Sequence, residues 1–505
     1  MALVLLAAIS ICAATWIAHY GYTLYYGDAE AHLNIARRIV DSQTPGYDQI
    51  GTVWLPVPHV LMLPFVGRDA WWHNGLAGTI PGICCFVAGG MLLFGAARRL
   101  FGSGAAAYCS LLVLALNPNL LYLQSTPMTE HVFFLGLLGM LYCTVVFRSR
   151  QSLWAVAGAA AFSTVASLTR YEGWWLIPFV ALYFLAAGGS RRFQAVLLFS
   201  LIAGLAPLYW LAHNWYYFGD ALEFYRGPGS AKGIYQRALD AGLARYPGDH
   251  EWTKAVFYFG AAARLAVGVA VLLLGALGLG AALLKQVWWP VLFLLLGPVF
   301  YILSMYSSGV PIFVPHLWPH GYYNTRYGLA VLPLLALCTG ALVSLAPARL
   351  RGAVLAAVVL TAILPWLAHP NPGAWICWKE SQVNSVARRA WTHEAADYMR
   401  AHIRPGDTVF TSFGDLTGIF REAGIPIRRT THDGNNPRWM AAIARPDLFL
   451  WDQWAVAIAG DSVSTALAKA RKHAPNWQCV KMVAVKDAPV IEIYRRQASP
   501  PYPVP

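Results

Sequence analysis

The sequence predicts a mainly α-helical, polytopic membrane protein of about eleven spans, followed by an α/β domain on the outer side of the membrane. Three observations predict it. The chain is 57% hydrophobic and only 12% charged, with a mean hydropathy of +0.48, whereas a soluble globular protein carries roughly 25% charged residues. Apolar runs of about 20 residues, each long enough to cross a bilayer as a helix, recur along the first three quarters of the sequence. Composition then changes abruptly near residue 370.

The apolar runs place spans over residues 2–22, 79–97, 105–123, 130–147, 152–169, 173–189, 194–212, 257–284, 287–306, 327–347 and 352–369. The first resembles the apolar part of a signal peptide but lacks a basic start, so it is read as a span. Alternate connections are short and basic: Arg98 and Arg99, Arg148 and Arg150, Arg191 and Arg192, Lys285, then Arg349 and Arg351. The positive-inside rule puts these in the cytoplasm. The N-terminus is then inside and the chain after residue 369 outside. All 24 acidic residues fall on the outer side in this arrangement. The formal net charge of +13 is accounted for by inner loops that meet anionic headgroups. No basic, aromatic-interleaved platform for nucleic acid is present.

Residues 1–369 therefore form a membrane domain and 370–505 an extracytoplasmic domain. The second alternates helix-like and strand-like stretches: "EAADYMRAHI", "DTVFTSF", "LTGIFREAG", "IPIRRTT", "PDLFLWD", "STALAKARKHA", "CVKMVAV" and "VIEIYRR". That pattern predicts a sheet covered by helices, with turns at "RPGD" (404–407) and "AGIP" (423–426). No GxGxxG follows a strand, so no nucleotide is assigned to it. Six of the eight cysteines lie in apolar runs and read as small hydrophobes. Cys377 and Cys479 lie in the polar tail, where a disulfide and two free thiols both stay open.

Polar residues gather at the outer ends of the spans. "YYGDAEAHLNIARR" places Asp28, Glu30 and His32 just after the first. "STPMTEHVFF" places Glu130 and His131 at the start of the fourth. "SLTRYEGWW" places Arg170 and Glu172 between the fifth and sixth. "YYNTRYGLAV" places Asn324, Arg326 and Tyr327 at the start of the tenth. Each has a plainer reading: Asp28 as the cap of an interfacial amphipathic helix, Arg170 and Glu172 as a salt bridge, the rest as interfacial anchors. Charges are costly near hydrocarbon, however, and so many at one membrane level point to a shared cavity. A carboxylate there can take a proton from an acceptor hydroxyl or amine. Arginines can hold a phosphate leaving group. A lipid-linked sugar phosphate presents that group at headgroup depth, which predicts glycosyl transfer at the outer face from a polyprenyl-phosphate sugar.

"GDAEAHLNIARR" followed by "GTVWLPVPHVLMLPF" resembles the first outer loop of the GT-C fold glycosyltransferases, which include protein O-mannosyltransferases and lipid A aminoarabinose transferases. "TPMTEHVF", "LTRYEGWWLIP" and "NTRYGLAVLPLL" resemble later segments of that group, in the same order. The resemblance covers roughly residues 1–370. It implies that Asp28 matches the catalytic acidic position. The group often has adjacent Asp-Glu there, whereas here Ala29 separates Asp28 from Glu30, so either carboxylate could be the base; Asp28 is taken first. It implies Arg326 as the donor phosphate ligand, with Arg170 and Arg264 as further candidates. His32, Glu130, His131, Glu172, Asn324 and Tyr327 would line the substrate cavity. Pro56, Pro58 and His59 read as structural, the prolines as helix breakers.

No cofactor is assigned. A divalent cation held by Asp28, Glu130, His131 and Glu172 is the alternative, because some transferases of this fold hold one; no ligand spacing demands it. The reading is thus an inverting transferase in a bacterial-type inner membrane, moving a hexose or pentose to a lipid, glycan or protein acceptor. A secondary transporter, another enzyme of lipid-linked substrates and a non-catalytic scaffold are the rivals; a transporter would place its polar residues at the bilayer midplane.

Overall fold

The computed structural model of the chain describes residues 1–473 and 476–497. Ala474, the last residue of "STALAKARKHA", lies outside them. The chain folds as two compact units. The first comprises Met1–Thr23, Thr52–Pro58 and Thr79–Glu380; the second comprises Leu24–Gly51, His59–Gly78 and the chain from Ser381 onward. The division therefore does not follow a single cut at 369/370: most of the stretch between the first two spans belongs with the tail.

In the first unit every expected apolar run is helical, but not every one is a single long helix. Among the described residues seven helices are long and apolar enough to cross a membrane: Ala2–His19, Leu76–Phe101, Glu130–Arg150, Gly189–Phe218, Trp288–Tyr306, Thr325–Leu345 and Ala348–Ala368. The number is up to nine if two bent pairs each count as one span. The run 105–123 is Gly104–Ala115 plus Pro118–Gln124, bent by 68°. Asn117 caps the second piece by accepting from the Leu120 amide at 3.1 Å, with Pro118 at its first position. The run 257–284 is Trp252–Val267 plus Val269–Leu284, bent by 107°. Gly268 sits at that corner with φ +86°, a conformation that a side chain would disfavour. The runs 152–169 and 173–189 are the shorter helices Leu153–Ser167 and Glu172–Ala187. At 15 and 16 residues they rise about 23 Å, less than a hydrocarbon core of about 30 Å. The chain is a multi-pass membrane protein with fewer full-length spans than the apolar runs predict.

Small residues let these helices approach closely, as is usual where no water drives association. Gly328, in the 3-10 turn Thr325–Val331, faces the backbone of Trp252–Val267. A Cβ there would lie 2.4 Å from the Ala262 carbonyl carbon. That crossing sets the position of Arg326, two residues earlier.

The second unit holds a five-stranded sheet in the order β2-β1-β3-β5-β4. Its strands are β1 (Val409–Thr411), β2 (Thr430–Thr431), β3 (Trp454–Ile458), β4 (Trp477–Val483) and β5 (Ile491–Arg496). β1 is parallel to β2 and β3, and β5 is antiparallel to β3 and β4. One face packs Val409, Trp454, Val456, Ile491 and Ile493 against Trp391, Ala395 and Met399 of the helix Ile376–His402. The other packs Phe410, Ala455 and Ala457 against Leu467 and Ala470 of the helix Ser462–His473. The turns at 404–407 and 423–426 form as expected, the second at Gly424 with φ +75°. All eight cysteines are free thiols, Cys377 and Cys479 included. Pro58 does not break a helix; it sits in the first turn of Val57–Val66, where its missing N–H costs nothing.

Gly328→Ala is expected to cost about 1–3 kcal/mol by overpacking, seen as a lower thermal unfolding midpoint in detergent. Gly280→Ala, where a Cβ meets nothing within 4 Å, is the control and is expected to leave the midpoint level or slightly higher. A second expectation concerns His432, whose imidazole burial and Arg38 push down to about 3. A depressed imidazole stays neutral in the fold and takes a proton on unfolding. Its effect is nil above the unfolded value of about 6.5, and stability is lost as pH falls from there toward 3. Relative to His432→Gln, the wild type should lose up to about 1.4 kcal/mol per pH unit below 6.5, read by tryptophan fluorescence melts between pH 7 and 4.5.

Candidate active site

The first unit buries an ionic network where several apolar helices begin. Glu130 opens Glu130–Arg150 and Glu172 opens Glu172–Ala187, each in the first turn, where the helix dipole favours a carboxylate. Arg148 and Arg150 close the far end of the first of these helices. Arg170 lies in the turn before Glu172. Its Nε donates to Glu172 Oε1 at 2.7 Å, its Nη1 to Thr129 Oγ1 at 2.8 Å and Glu130 Oε1 at 3.2 Å, and its Nη2 to the Tyr301 hydroxyl at 3.0 Å. The Tyr301 hydroxyl itself donates to Glu172 in a very short bond.

Arg326 joins the same network from another helix. Its Nε donates to Glu130 Oε1 at 3.1 Å and its Nη1 to Glu380 Oε1 at 3.3 Å. Glu380 also accepts from the Asn324 amide at 3.1 Å, the Thr325 amide at 2.7 Å and the Thr325 hydroxyl. Burial lifts the Glu380 carboxyl, while Arg326, Thr325 and Asn324 pull it down. Tyr327 lies beneath both guanidinium groups, 5.3 Å from Arg170 and 5.2 Å from Arg326, and stacks on Tyr301 at 4.4 Å. Two arginines thus lie by one aromatic ring and share three buried carboxylates, so that a further anion can be held only in exchange for one of these.

The structure therefore brings together Arg170, Glu172, Glu130, Arg326, Asn324 and Tyr327. It adds Thr129, Tyr301 and Glu380, none of which the sequence singled out. Tyr301 stands inside an apolar run and gives no signal; Glu380 follows the last apolar run beside Trp375 and Trp378, a weak one. His131 is buried beside this group, with its Nδ1 unpartnered, and Glu130 Oε2 is likewise buried without a partner. Arg264 is exposed on Trp252–Val267 and takes no part in the network; a long side chain at a helix end can reach out of the apolar region. Every guanidinium nitrogen of Arg170 is already given to protein oxygens, so Arg170 is first of all the holder of Glu130 and Glu172.

Asp28, Glu30 and His32 belong to the second unit, on the helix Gly27–Val40. Tyr26, not Asp28, occupies the N-cap position, and Asp28 lies in the first turn. Nor is this an interfacial amphipathic helix: most of it is buried, Arg37 and Arg38 included. Asp28 is half-buried, whereas Glu30 is 7% exposed. Glu30 Oε2 accepts from Arg388 Nη1 at 2.8 Å, and Oε1 accepts from Arg421 Nη2 at 2.9 Å and Nε at 3.1 Å. Both oxygens of Glu30 are thus held by guanidinium groups. His32 Nδ1 lies 2.9 Å from His59 Nε2. Among the described residues no group of three or more His, Cys, Asp or Glu side chains gathers as a metal site.

Apolar membrane helices joined to an α/β unit in this way make up the GT-C glycosyltransferase fold. Solved structures carry the likeness over nearly the whole chain. Apo ArnT from Cupriavidus metallidurans superposes with a TM-score of 0.56 at 15% identity, covering 96% of this chain and 97% of that one. ArnT bound to undecaprenyl phosphate gives 0.51 at 15% identity over the same shares. The apo oligosaccharyltransferase of Archaeoglobus fulgidus gives 0.52 at 12% identity, over 93% of this chain and 71% of that one. Residues 72–217 match the family described as dolichyl-phosphate-mannose-protein mannosyltransferase. No curated protein matches the chain by sequence.

Arg170→Ala would leave Glu172 buried with the Tyr301 hydroxyl but without its guanidinium partner, and Glu130 with Arg326 alone. The expected loss is about 3–5 kcal/mol of stability, measured by chemical unfolding in detergent. Removing both partners with Arg170→Met and Glu172→Leu should cost clearly less than the single change.

Proposed function

We propose that the protein is a glycosyltransferase that uses a polyprenyl-phosphate-linked monosaccharide, on the extracytoplasmic side of a bacterial-type inner membrane. The observation that carries this reading is the buried pair Arg170 and Arg326, arranged over Tyr327 where the apolar helices begin. Supporting it are the fold shared with ArnT, which has been seen with undecaprenyl phosphate, and the match to a dolichyl-phosphate-mannose family. The basic ends of the helices, Arg98 and Arg99, then Arg148 and Arg150, favour a cytoplasmic location. That leaves Glu130 and Glu172 outside.

Asp28 acts as general base on the acceptor hydroxyl or amine. It is the half-buried carboxylate of its helix, while Glu30 is spent on two arginines. The acceptor oxygen or nitrogen attacks the anomeric carbon as the bond to the donor phosphate breaks, and the configuration inverts. Arg326 receives the negative charge that develops on the departing lipid phosphate. To do so it exchanges a carboxylate partner, Glu380 or Glu130, for the phosphate. Arg170 holds Glu130 and Glu172 in place during that exchange. The acceptor is a lipid, glycan or protein.

The test uses the full chain in nanodiscs with a panel of undecaprenyl-phosphate monosaccharides. Asp28→Asn should lower transfer at least about 10³-fold with donor binding intact, because it removes the base alone. Arg326→Ala should lower kcat/KM by about 10²-fold or more. Full transfer by Asp28→Asn would remove the base from this account.

A further inference from the structure

We propose that Glu30 is a positioning residue for the reaction, and that Arg388 and Arg421 of the C-terminal sequence are its partners in holding Asp28 in a fixed place. The inference rests on the function proposed above, and extends it to the role of the tail.

Asp28 and Glu30 lie in one turn of Gly27–Val40. Two residues along an α-helix turn the side chain by about 200°. Fixing Glu30 therefore fixes the turn that also bears Asp28. The fixing is thorough. Besides its bond to Glu30, Arg388 donates through Nη2 to the carbonyls of Tyr25 at 2.9 Å and Leu24 at 3.4 Å, the residues that lead into the helix. Its neighbour Arg389 lies 3.9 Å from the centroid of the Tyr25 ring. Arg421 adds a bond from Nη1 to the His73 carbonyl at 2.6 Å. One guanidinium thus ties the start of the helix, and the other ties Glu30 to the stretch that ends the same loop.

The far end of the helix is pinned by the same means. Arg37 donates to Asp41 at 2.7 Å, Asp69 at 2.6 Å and the Val66 carbonyl at 2.8 Å. Asp41 in turn accepts from Arg428 at 2.7 Å and from the Ile427 amide at 3.2 Å. Trp72 donates to Asn34 at 3.0 Å midway. A helix of 14 residues is marginal alone in water. Here three basic residues of the tail, Arg388, Arg421 and Arg428, supply what it lacks. This gives the tail a task that needs no ligand of its own: it completes the fold of the loop that bears the base.

The experiment compares wild type, Glu30→Gln, Arg421→Ala, Arg421→Lys and Asp28→Asn, all full-length in nanodiscs. Hydrogen exchange across residues 27–40 reports the helix, and turnover of the undecaprenyl-phosphate monosaccharide that the wild type consumes reports the reaction. Glu30→Gln and Arg421→Ala should speed exchange at least about 10-fold and lower kcat at least about 30-fold, with the donor KM within about threefold. Arg421→Lys should recover part of both. Asp28→Asn should lose turnover with a smaller change in exchange than Glu30→Gln shows. Unchanged exchange in Glu30→Gln and Arg421→Ala overturns the clamp. Faster exchange with unchanged kcat overturns its catalytic role. Full activity in Asp28→Asn overturns the proposed function instead, and leaves the exchange result standing.

Discussion

A guanidinium or carboxylate taken out of water must find an opposite charge, and in a chain with so few charges that requirement organises everything near the reaction. A bare ion in the interior costs several kcal/mol even after relaxation. The first unit answers with Arg170 and Arg326 set among Glu130, Glu172 and Glu380. The second answers with Glu30 between Arg388 and Arg421, and Arg37 between Asp41 and Asp69. Such pairs add little net stability compared with apolar packing. They do forbid any arrangement that would leave one partner alone, and so they fix geometry.

That constraint separates residues that hold from residues that react. Arg170 and Glu30 have their hydrogen-bonding atoms committed to protein partners and are suited to holding. Arg326 shares its guanidinium between two carboxylates contributed by other segments of its unit, one of which the donor phosphate replaces on the function proposed. Asp28 sits on the helix that Glu30 anchors, about 200° around from it. On the function proposed, the motif "GDAEAH" holds two carboxylates with two tasks, with the fully buried Ala29 between them.

Much of the fold was legible because hydrophobicity is a long-range average, and the apolar runs survive any local irregularity. The breaks within them were not legible. The corner at Gly268 and the cap at Asn117 lie inside runs whose mean hydropathy hides them. In the tail, β3 gives no such signal although it is central: buried on both faces, "WAVAI" lacks the alternation that marks a half-exposed strand. "PDLFLWD", by contrast, contains only the short helix Pro446–Phe449. At the site, Arg170 with Glu172 could be read because the pair is two residues apart. Arg421 with Glu30 could not, since 391 positions separate them, and nothing local in "GIFREAG" marks its arginine as the partner of an acid at the other end of the chain. For the same reason the loop helix has the pattern of an interfacial amphipathic helix: its buried arginines look like an exposed polar face until their partners are seen.

The most direct measurement is a cryo-EM structure of the full chain in a nanodisc saturated with undecaprenyl phosphate. The account predicts the lipid phosphate within hydrogen-bonding distance of the Arg326 guanidinium, with Glu380 or Glu130 displaced from it and the Arg170–Glu172 pair intact. A phosphate bound elsewhere, with Arg326 still held by Glu130 and Glu380, would contradict it.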